Sequence, residues 1–78
     1  MINEKTINER VGKNIRKYRL LYSATKHNLT QSDLAEKVGV SVSLIGGMES
    51  KNINQGISIY NLFKISEVLN TPIDKFFE

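Results

Sequence analysis

Five segments of this chain begin with a Ser or Thr residue followed by apolar side chains at helical spacing, and this repeated signal strongly constrains the fold. The five residues are Thr6, Thr30, Ser41, Ser58 and Thr71. A hydroxyl at such a position accepts a hydrogen bond from a free N–H group of the first helical turn. No segment alternates between apolar and polar residues as a strand would. The sequence therefore predicts an all-α fold.

An acidic residue three positions later strengthens three of these signals. The pairs are Thr6 with Glu9, Thr30 with Asp33 and Thr71 with Asp74. In such a capping box the acid accepts a hydrogen bond from the N–H of the Ser or Thr. Apolar spacing then places five helices at about residues 6–22, 31–38, 42–49, 59–70 and 72–77. Because 78 residues suffice for one core, we expect a single domain over residues 1–78, built as a compact five-helix bundle.

Two of the predicted helices carry a clear apolar face. The face of the first helix consists of Ile7, Val11, Ile15, Tyr18 and Tyr22. The fourth helix has a wider face, formed by Ile59, Leu62, Phe63, Ile65, Ser66 and Leu69. We expect both faces to lie in the core, since apolar stripes at this period point inward.

The composition argues against most catalytic and metal chemistry. The chain has no cysteine and one histidine, His27, which excludes disulfides, thiolate zinc sites and histidine clusters. We therefore expect no enzyme activity, no metal and no cofactor. No apolar run is long enough to span a membrane, and the first ten residues, MINEKTINER, lack the apolar core of a signal peptide. A cytoplasmic protein that does not bind membranes is expected.

Positive charge is concentrated in the first third of the chain. The net charge is +3, whereas residues 1–26 alone hold seven basic and two acidic residues. The basic cluster consists of Arg10, Lys13, Arg16, Lys17 and Arg19. Such a cluster favours a polyanionic partner, either a nucleic acid or an anionic membrane surface. The alternative is a solvated helix face that only keeps the protein soluble.

The stretch QSDLAEKVGVSVSLIGGMES, residues 31–50, is the most informative segment for function. It predicts two short helices joined by a tight turn at Gly39, which tolerates the positive φ that such a turn needs. Ala35 supplies a small residue where the helices cross. The apolar residues that would fix the angle between the helices are Leu34, Val38, Val40, Ile45 and Met48. This pattern is typical of a helix-turn-helix, whose second helix can enter a DNA major groove.

Three segments of the sequence are similar to the Cro/C1-type, or XRE-like, helix-turn-helix repressors. They are VGKNIRKYR, LTQSDLAEKVGVS and SIYNLFKISEVLNTPIDKFF, and the resemblance covers roughly residues 10–78. It implies a lambda-repressor-like DNA-binding domain. Members typically bind double-stranded operator DNA as homodimers on two half-sites and regulate transcription, so we expect a repressor. Phage repressors, restriction–modification controllers and antitoxins share this domain.

The same resemblance implies roles for individual residues. The positions that would face DNA base edges are Val42, Ser43, Gly46 and Gly47. Those that would contact the DNA backbone are Thr30, Gln31, Ser41, Lys51 and Asn52. Arg19 and Glu49 match a pair that in relatives bridges the first and third helices, so we expect a structural ion pair that orients the third helix.

The glycines at positions 46 and 47 depart from the family pattern, in which long polar side chains usually contact bases. Each glycine costs about 0.8–1 kcal/mol of helix propensity relative to alanine. In one interpretation, Gly46 and Gly47 let the helix backbone approach the groove closely, so that DNA shape supplies much of the specificity. In the other, DNA recognition is weakened or lost, and the domain binds a protein partner.

The C-terminal segment TPIDKFFE contains two adjacent aromatic residues, Phe76 and Phe77. Such an excess at a chain end indicates either closure of the core or a self-complementary interface. The resemblance favours one phenylalanine in the core and the other, with Ile73, near the twofold axis of a homodimer. The predicted dimer interface therefore draws on Ile73, Phe76 and Phe77, and the alternative is that both aromatic rings close the core.

Overall fold

Helix α2 spans Gln31–Val38 and helix α3 spans Val42–Glu49, and both have the bounds that the sequence predicts. The computed structural model describes residues 3–50 and 57–78 of the chain. Helix α1 spans Glu4–Thr25, α4 spans Ile59–Val68, and a C-terminal 3-10 helix spans Ile73–Phe77. No strand occurs in the described ranges. The all-α prediction is confirmed, with four α-helices and one 3-10 helix in place of five α-helices.

Three of the five predicted helix caps are present. Thr30 Oγ1 accepts a hydrogen bond from the N–H of Asp33 at 3.1 Å, and Asp33 Oδ2 accepts from the N–H of Thr30 at 3.0 Å. The hydroxyl oxygens of Ser41 and Ser58 each accept from the N–H three residues later, also at 3.1 Å. These bonds satisfy N–H groups that lack an acceptor within the helix, which explains where α2, α3 and α4 begin.

The predicted caps at Thr6 and Thr71 are wrong. Helix α1 begins earlier than expected, because Asn3 Oδ1 accepts a hydrogen bond from the N–H of Thr6 at 2.8 Å. Asn is as favourable an N-cap residue as Ser. The helix therefore begins after Asn3 rather than after Thr6. The 3-10 helix has no side-chain cap, and Pro72 occupies the position before it. The Thr71 hydroxyl instead donates to the carbonyl oxygen of Leu69 at 3.0 Å.

Helices α1 and α3 meet backbone to backbone at Gly12. This residue is buried, and a methyl group on it would overlap the carbonyl oxygen of Met48. Only glycine permits so close an approach of two helices. The contact therefore sets the position of α3 against α1. The buried apolar residues that form the core are Val11, Ile15, Leu29, Leu34, Ala35, Val38, Ile45, Met48, Leu62, Ile65, Leu69 and Phe76.

The buried face of α4 is narrower than the sequence predicts. The buried side chains on or next to this helix are Leu62, Ile65, Ser66 and Leu69. Ile59 is 77% exposed and Phe63 is 51% exposed, so the prediction that these two lie in the core is wrong. Both side chains occupy a second stripe beside the buried one, because residues four apart on a helix share a face.

Asn14 holds the C-terminal segment against α1. Its side-chain Nδ2 donates hydrogen bonds to the carbonyl oxygens of Phe76 and Glu78, each at 2.9 Å. The Phe76 ring is fully buried and lies edge-on to Tyr18, with 5.5 Å between ring centroids. A side chain enclosed in this way cannot contact a second protomer, so the prediction of Phe76 as an interface residue is wrong. Phe77 is 44% exposed.

Candidate nucleic-acid interface

The turn between α2 and α3 has the geometry expected of its glycine. Gly39 has a φ of 86°, in the left-handed region. The N–H groups of Gly39 and Val40 both donate to the carbonyl oxygen of Ala35, at 2.8 and 3.0 Å, which ends α2 abruptly. Leu34 on α2 and Ile45 on α3 are fully buried. The two helices therefore form a helix-turn-helix unit that packs through buried side chains.

Helix α3 turns one face to the core and the other outward. Ile45 and Met48 are buried, whereas Val42, at the start of the helix, is 46% exposed. The outward face carries the four residues predicted to face DNA bases, which are Val42, Ser43, Gly46 and Gly47. Positions three or four apart lie on the same side of a helix, so these residues form one surface.

The two glycines on this face are not required by packing among the described residues. A methyl group on Gly47 would meet no atom of the described residues within 4 Å. One on Gly46 would lie 3.5 Å from Gln31 Oε1, an ordinary contact. Packing among the described residues therefore gives no reason for glycine rather than alanine at either position.

A buried ion pair links the end of α3 to α1. Arg19 Nε and Nη2 donate to the two carboxylate oxygens of Glu49, at 2.8 and 3.0 Å. The Glu49 side chain is 1% exposed. Arg19 Nη1 also donates to the carbonyl oxygen of Leu29 at 3.1 Å. This two-point contact holds both planar groups in one orientation. It therefore fixes the orientation of the end of α3 relative to α1.

Gln31 joins the same network, which the sequence reasoning missed. Its Nε2 donates to Glu49 Oε1 at 3.0 Å, so the first residue of α2 is tied to the last residue of α3. Gln31 is half-buried. No local pattern could have found this bond, because the two residues are 18 positions apart and meet only across the turn.

Comparison with known proteins agrees with this geometry. A family model described as helix-turn-helix matches residues 15–76, most of the chain. The chain belongs to the Cro/C1-type helix-turn-helix family. An uncharacterized HTH-type transcriptional regulator from Methanocaldococcus jannaschii is 36% identical over 61 residues, which cover 78% of this chain and 89% of that protein. The resemblance inferred from the sequence is confirmed.

In this helix-turn-helix domain, the remaining predicted backbone-contacting residues lie at helix starts or outside the described ranges. The capping residues Thr30 and Ser41 are exposed at the starts of α2 and α3. Lys51 and Asn52 follow α3 and fall outside the described residues.

Two hydrogen bonds from Thr30 lower the pKa of the Asp33 carboxyl. The larger effect comes from the Thr30 N–H and the smaller one from the Thr30 hydroxyl. The Asp33 carboxyl of this capping box is therefore ionised at neutral pH.

Neither a metal site nor a membrane-spanning helix occurs in the described part of this helix-turn-helix domain. Within residues 3–50 and 57–78, no three His, Cys, Asp or Glu side chains gather closely enough to hold a metal ion. No helix in the same ranges is both long and apolar enough to cross a bilayer.

Proposed function

We propose that this chain is a sequence-specific, double-stranded-DNA-binding transcriptional regulator that acts as a repressor. The observation that carries the proposal is the outward face of α3, on a helix held rigidly by the Arg19–Glu49 pair. Such a helix can lie in a major groove. The name of the archaeal relative, an HTH-type transcriptional regulator, supports the regulatory role.

The outward face of α3 offers few side chains for contacts with DNA bases, and those side chains are short. The exposed Val42 side chain presents methyl groups that suit the methyl group of thymine, and the Ser43 hydroxyl can donate to or accept from a base edge. Gly46 and Gly47 bring the helix backbone close to the groove floor. Specificity then rests partly on the shape and deformability of the DNA, since positions without a long side chain cannot form paired hydrogen bonds with bases.

Backbone contacts come from the helix starts on either side of this face. Gln31 has a second N–H on Nε2 that is free to donate to a phosphate while the first is bound to Glu49. Ser41 uses its hydroxyl hydrogen in the same way, because its oxygen acts as the acceptor in the cap of α3. Thr30 belongs to this set by the family resemblance. Lys51 and Asn52 extend this set on the strength of the family resemblance.

The repressor acts as a homodimer, and its interface lies on the surface of α4 and the 3-10 helix. Ile59, Tyr60, Phe63 and Phe77 are all exposed large hydrophobic residues. Phe63 and Ile73 line one groove on this surface, with a volume of about 450 Å³. A concentration of apolar side chains on a small domain is typical of an interface. Twofold symmetry then matches two half-sites in the operator.

Selection from a randomised duplex-DNA pool tests the function. An enriched inverted repeat with half-sites about one helical turn apart is the expected result. Val42→Ala and Ser43→Ala should each change the preferred base at one position of each half-site. Glu36→Gln, exposed on α2 and away from the α3 face, serves as the control and should leave the preference unchanged. Failure to enrich any sequence, with binding that disappears as salt rises, would contradict the proposal and favour a protein partner.

A further inference from the structure

A basic groove runs along α1 and ends beside the last residues of α3. It has a volume of about 700 Å³ and is lined by four cations of α1, which are Arg10, Lys13, Arg16 and Lys17. Glu49 and Ser50, at the end of α3, form part of the same lining. The basic groove therefore adjoins the C-terminal end of α3.

The four cations of the basic groove are not neutralised by acids. All four side chains are exposed. Among the described residues, the ion pairs are Arg19 with Glu49 and Lys75 with Glu78, so none of the four belongs to one. The pairs also engage two of the acids in the groove lining, since Glu49 and Glu78 already face cations. Glu9 is the remaining acid of the lining. The groove consequently presents excess positive charge to solvent.

The cations are arranged as a stripe along the helix. Arg10, Lys13 and Lys17 are spaced three and four positions apart and share one face. From position 10 to position 17 they extend along roughly 10 Å of the helix axis, at about 1.5 Å per residue. A site for a small ligand is usually enclosed and largely apolar, with a few converging polar groups. A stripe of long, exposed cations instead fits a polymer that carries regularly spaced phosphates.

The position of the groove indicates which polymer it binds. Helix α3, with eight residues, is about 12 Å long. The end of α3 that carries Glu49 and Ser50 borders the basic groove, and a helix that lies in the major groove of DNA has a phosphate backbone on each side of it. We propose that the basic groove holds the phosphate backbone of the DNA that borders the site contacted by α3. This proposal rests on the proposed DNA-binding function and adds a second, sequence-independent contact to it.

Charge-neutralising variants of the groove test the proposal in the full chain. Lys13→Gln and Arg16→Gln should each weaken binding severalfold, equally for all DNA sequences. Removal of one cation–phosphate interaction should reduce the slope of log K against log salt by about 0.9. Lys5→Gln is the matched control, because Lys5 lies exposed on the same helix outside the groove and its replacement changes the net charge equally. Circular dichroism should show unchanged folding in all three variants.

Neutral methylphosphonate linkages placed one at a time in the flanking DNA identify the partner phosphates. A neutral linkage at the phosphate that Lys13 or Arg16 contacts should weaken DNA binding by the unsubstituted chain. The same linkage should cause no further weakening in the variant that lacks that cation, Lys13→Gln or Arg16→Gln. The proposal is overturned if both variants match Lys5→Gln in affinity and salt slope while the selected DNA sequence is still bound. Absence of any selected sequence is a different result, which contradicts the DNA-binding function itself.

Discussion

The Arg19 guanidinium and the Glu49 carboxylate form a buried, two-hydrogen-bond contact between α1 and the end of α3, at 2.8 and 3.0 Å. The same carboxylate accepts a hydrogen bond from Gln31 at the start of α2. One acidic side chain thus connects three helices. The orientation of the proposed DNA-contacting surface depends on it, although Glu49 itself lies beneath that surface.

Replacing Glu49 by alanine should destabilise the domain strongly. The change leaves the Arg19 guanidinium buried without its partner, which typically costs about 3–5 kcal/mol of the free energy of unfolding. Urea denaturation measures the effect, and Glu36→Ala, an exposed acid on α2, is the control. Unchanged stability and unchanged DNA affinity in Glu49→Ala would show that the ion pair has no role.

Alanine at Gly12 and at Gly47 should have opposite effects on stability. At Gly12 the new methyl group overlaps the Met48 carbonyl oxygen, so α1 and α3 must separate. Overpacking of this kind costs about 1–3 kcal/mol or more. At Gly47 the methyl group meets no described atom within 4 Å, and alanine should stabilise the helix by about 0.8–1 kcal/mol. Thermal unfolding compares the two, and equal melting temperatures would argue against the close helix crossing.

Gly47→Ala also tests the role proposed for the glycines at the DNA surface. Its DNA affinity should fall even though its folded state is more stable, because the methyl group keeps the helix backbone away from the groove. Titration of the selected operator measures this, and a gain in both stability and affinity would refute the close approach.

Asn14→Asp should loosen the C-terminal segment. The substitution keeps the shape of the side chain but replaces the donor that binds the Phe76 and Glu78 carbonyl oxygens with an ionised acceptor. Leaving the buried Phe76 carbonyl oxygen unsatisfied costs about 1–3 kcal/mol. Unfolding by urea and the near-ultraviolet circular dichroism of the Tyr18–Phe76 pair report the change. Asn28→Asp, in an exposed position, should alter neither signal.

Phe63→Lys should convert a dimer into a monomer. Phe63 is 51% exposed, so the fold tolerates the change, whereas a charge in a twofold interface faces its own copy. Sedimentation equilibrium measures the mass, and affinity for a two-half-site operator should fall together with dimerisation. Leu20→Lys, at an exposed leucine on α1, is the control. A dimer that survives Phe63→Lys would place the interface elsewhere.

The stability of the domain should depend on pH partly through Asp33. Its folded-state pKa is lowered from 3.8, first by the backbone hydrogen bond from Thr30 and then by the Thr30 hydroxyl. A lowered pKa means that the stabilisation is fully present above the ordinary pKa and is lost as the pH falls through the folded-state value. Melting temperatures at pH 7 and pH 3 should differ less in Asp33→Asn than in the unsubstituted chain. An identical difference in both would contradict the capping role.

The local signals in the sequence determined the centre of the domain. The bounds of α2 and α3, the caps at Thr30 and Ser41 and the turn at Gly39 all follow from interactions between residues three to five positions apart. Hydrogen bonds and backbone preferences of this range are present in the chain whatever surrounds it. The family could be recognised for the same reason, because its motif is local.

Tertiary structure alone decided which faces are buried and which distant groups meet. The sequence marks Ile59 and Phe63 as apolar, but their exposure depends on where the neighbouring helices pack against α4. Likewise, Asn14 reaches the Phe76 carbonyl oxygen across 62 positions, and the Phe76 side chain is buried. The spacing of apolar residues in the sequence predicts that a helix has an apolar side. Only the packed chain shows how much of that side its partners cover, since burial and long-range hydrogen bonds depend on three-dimensional contact.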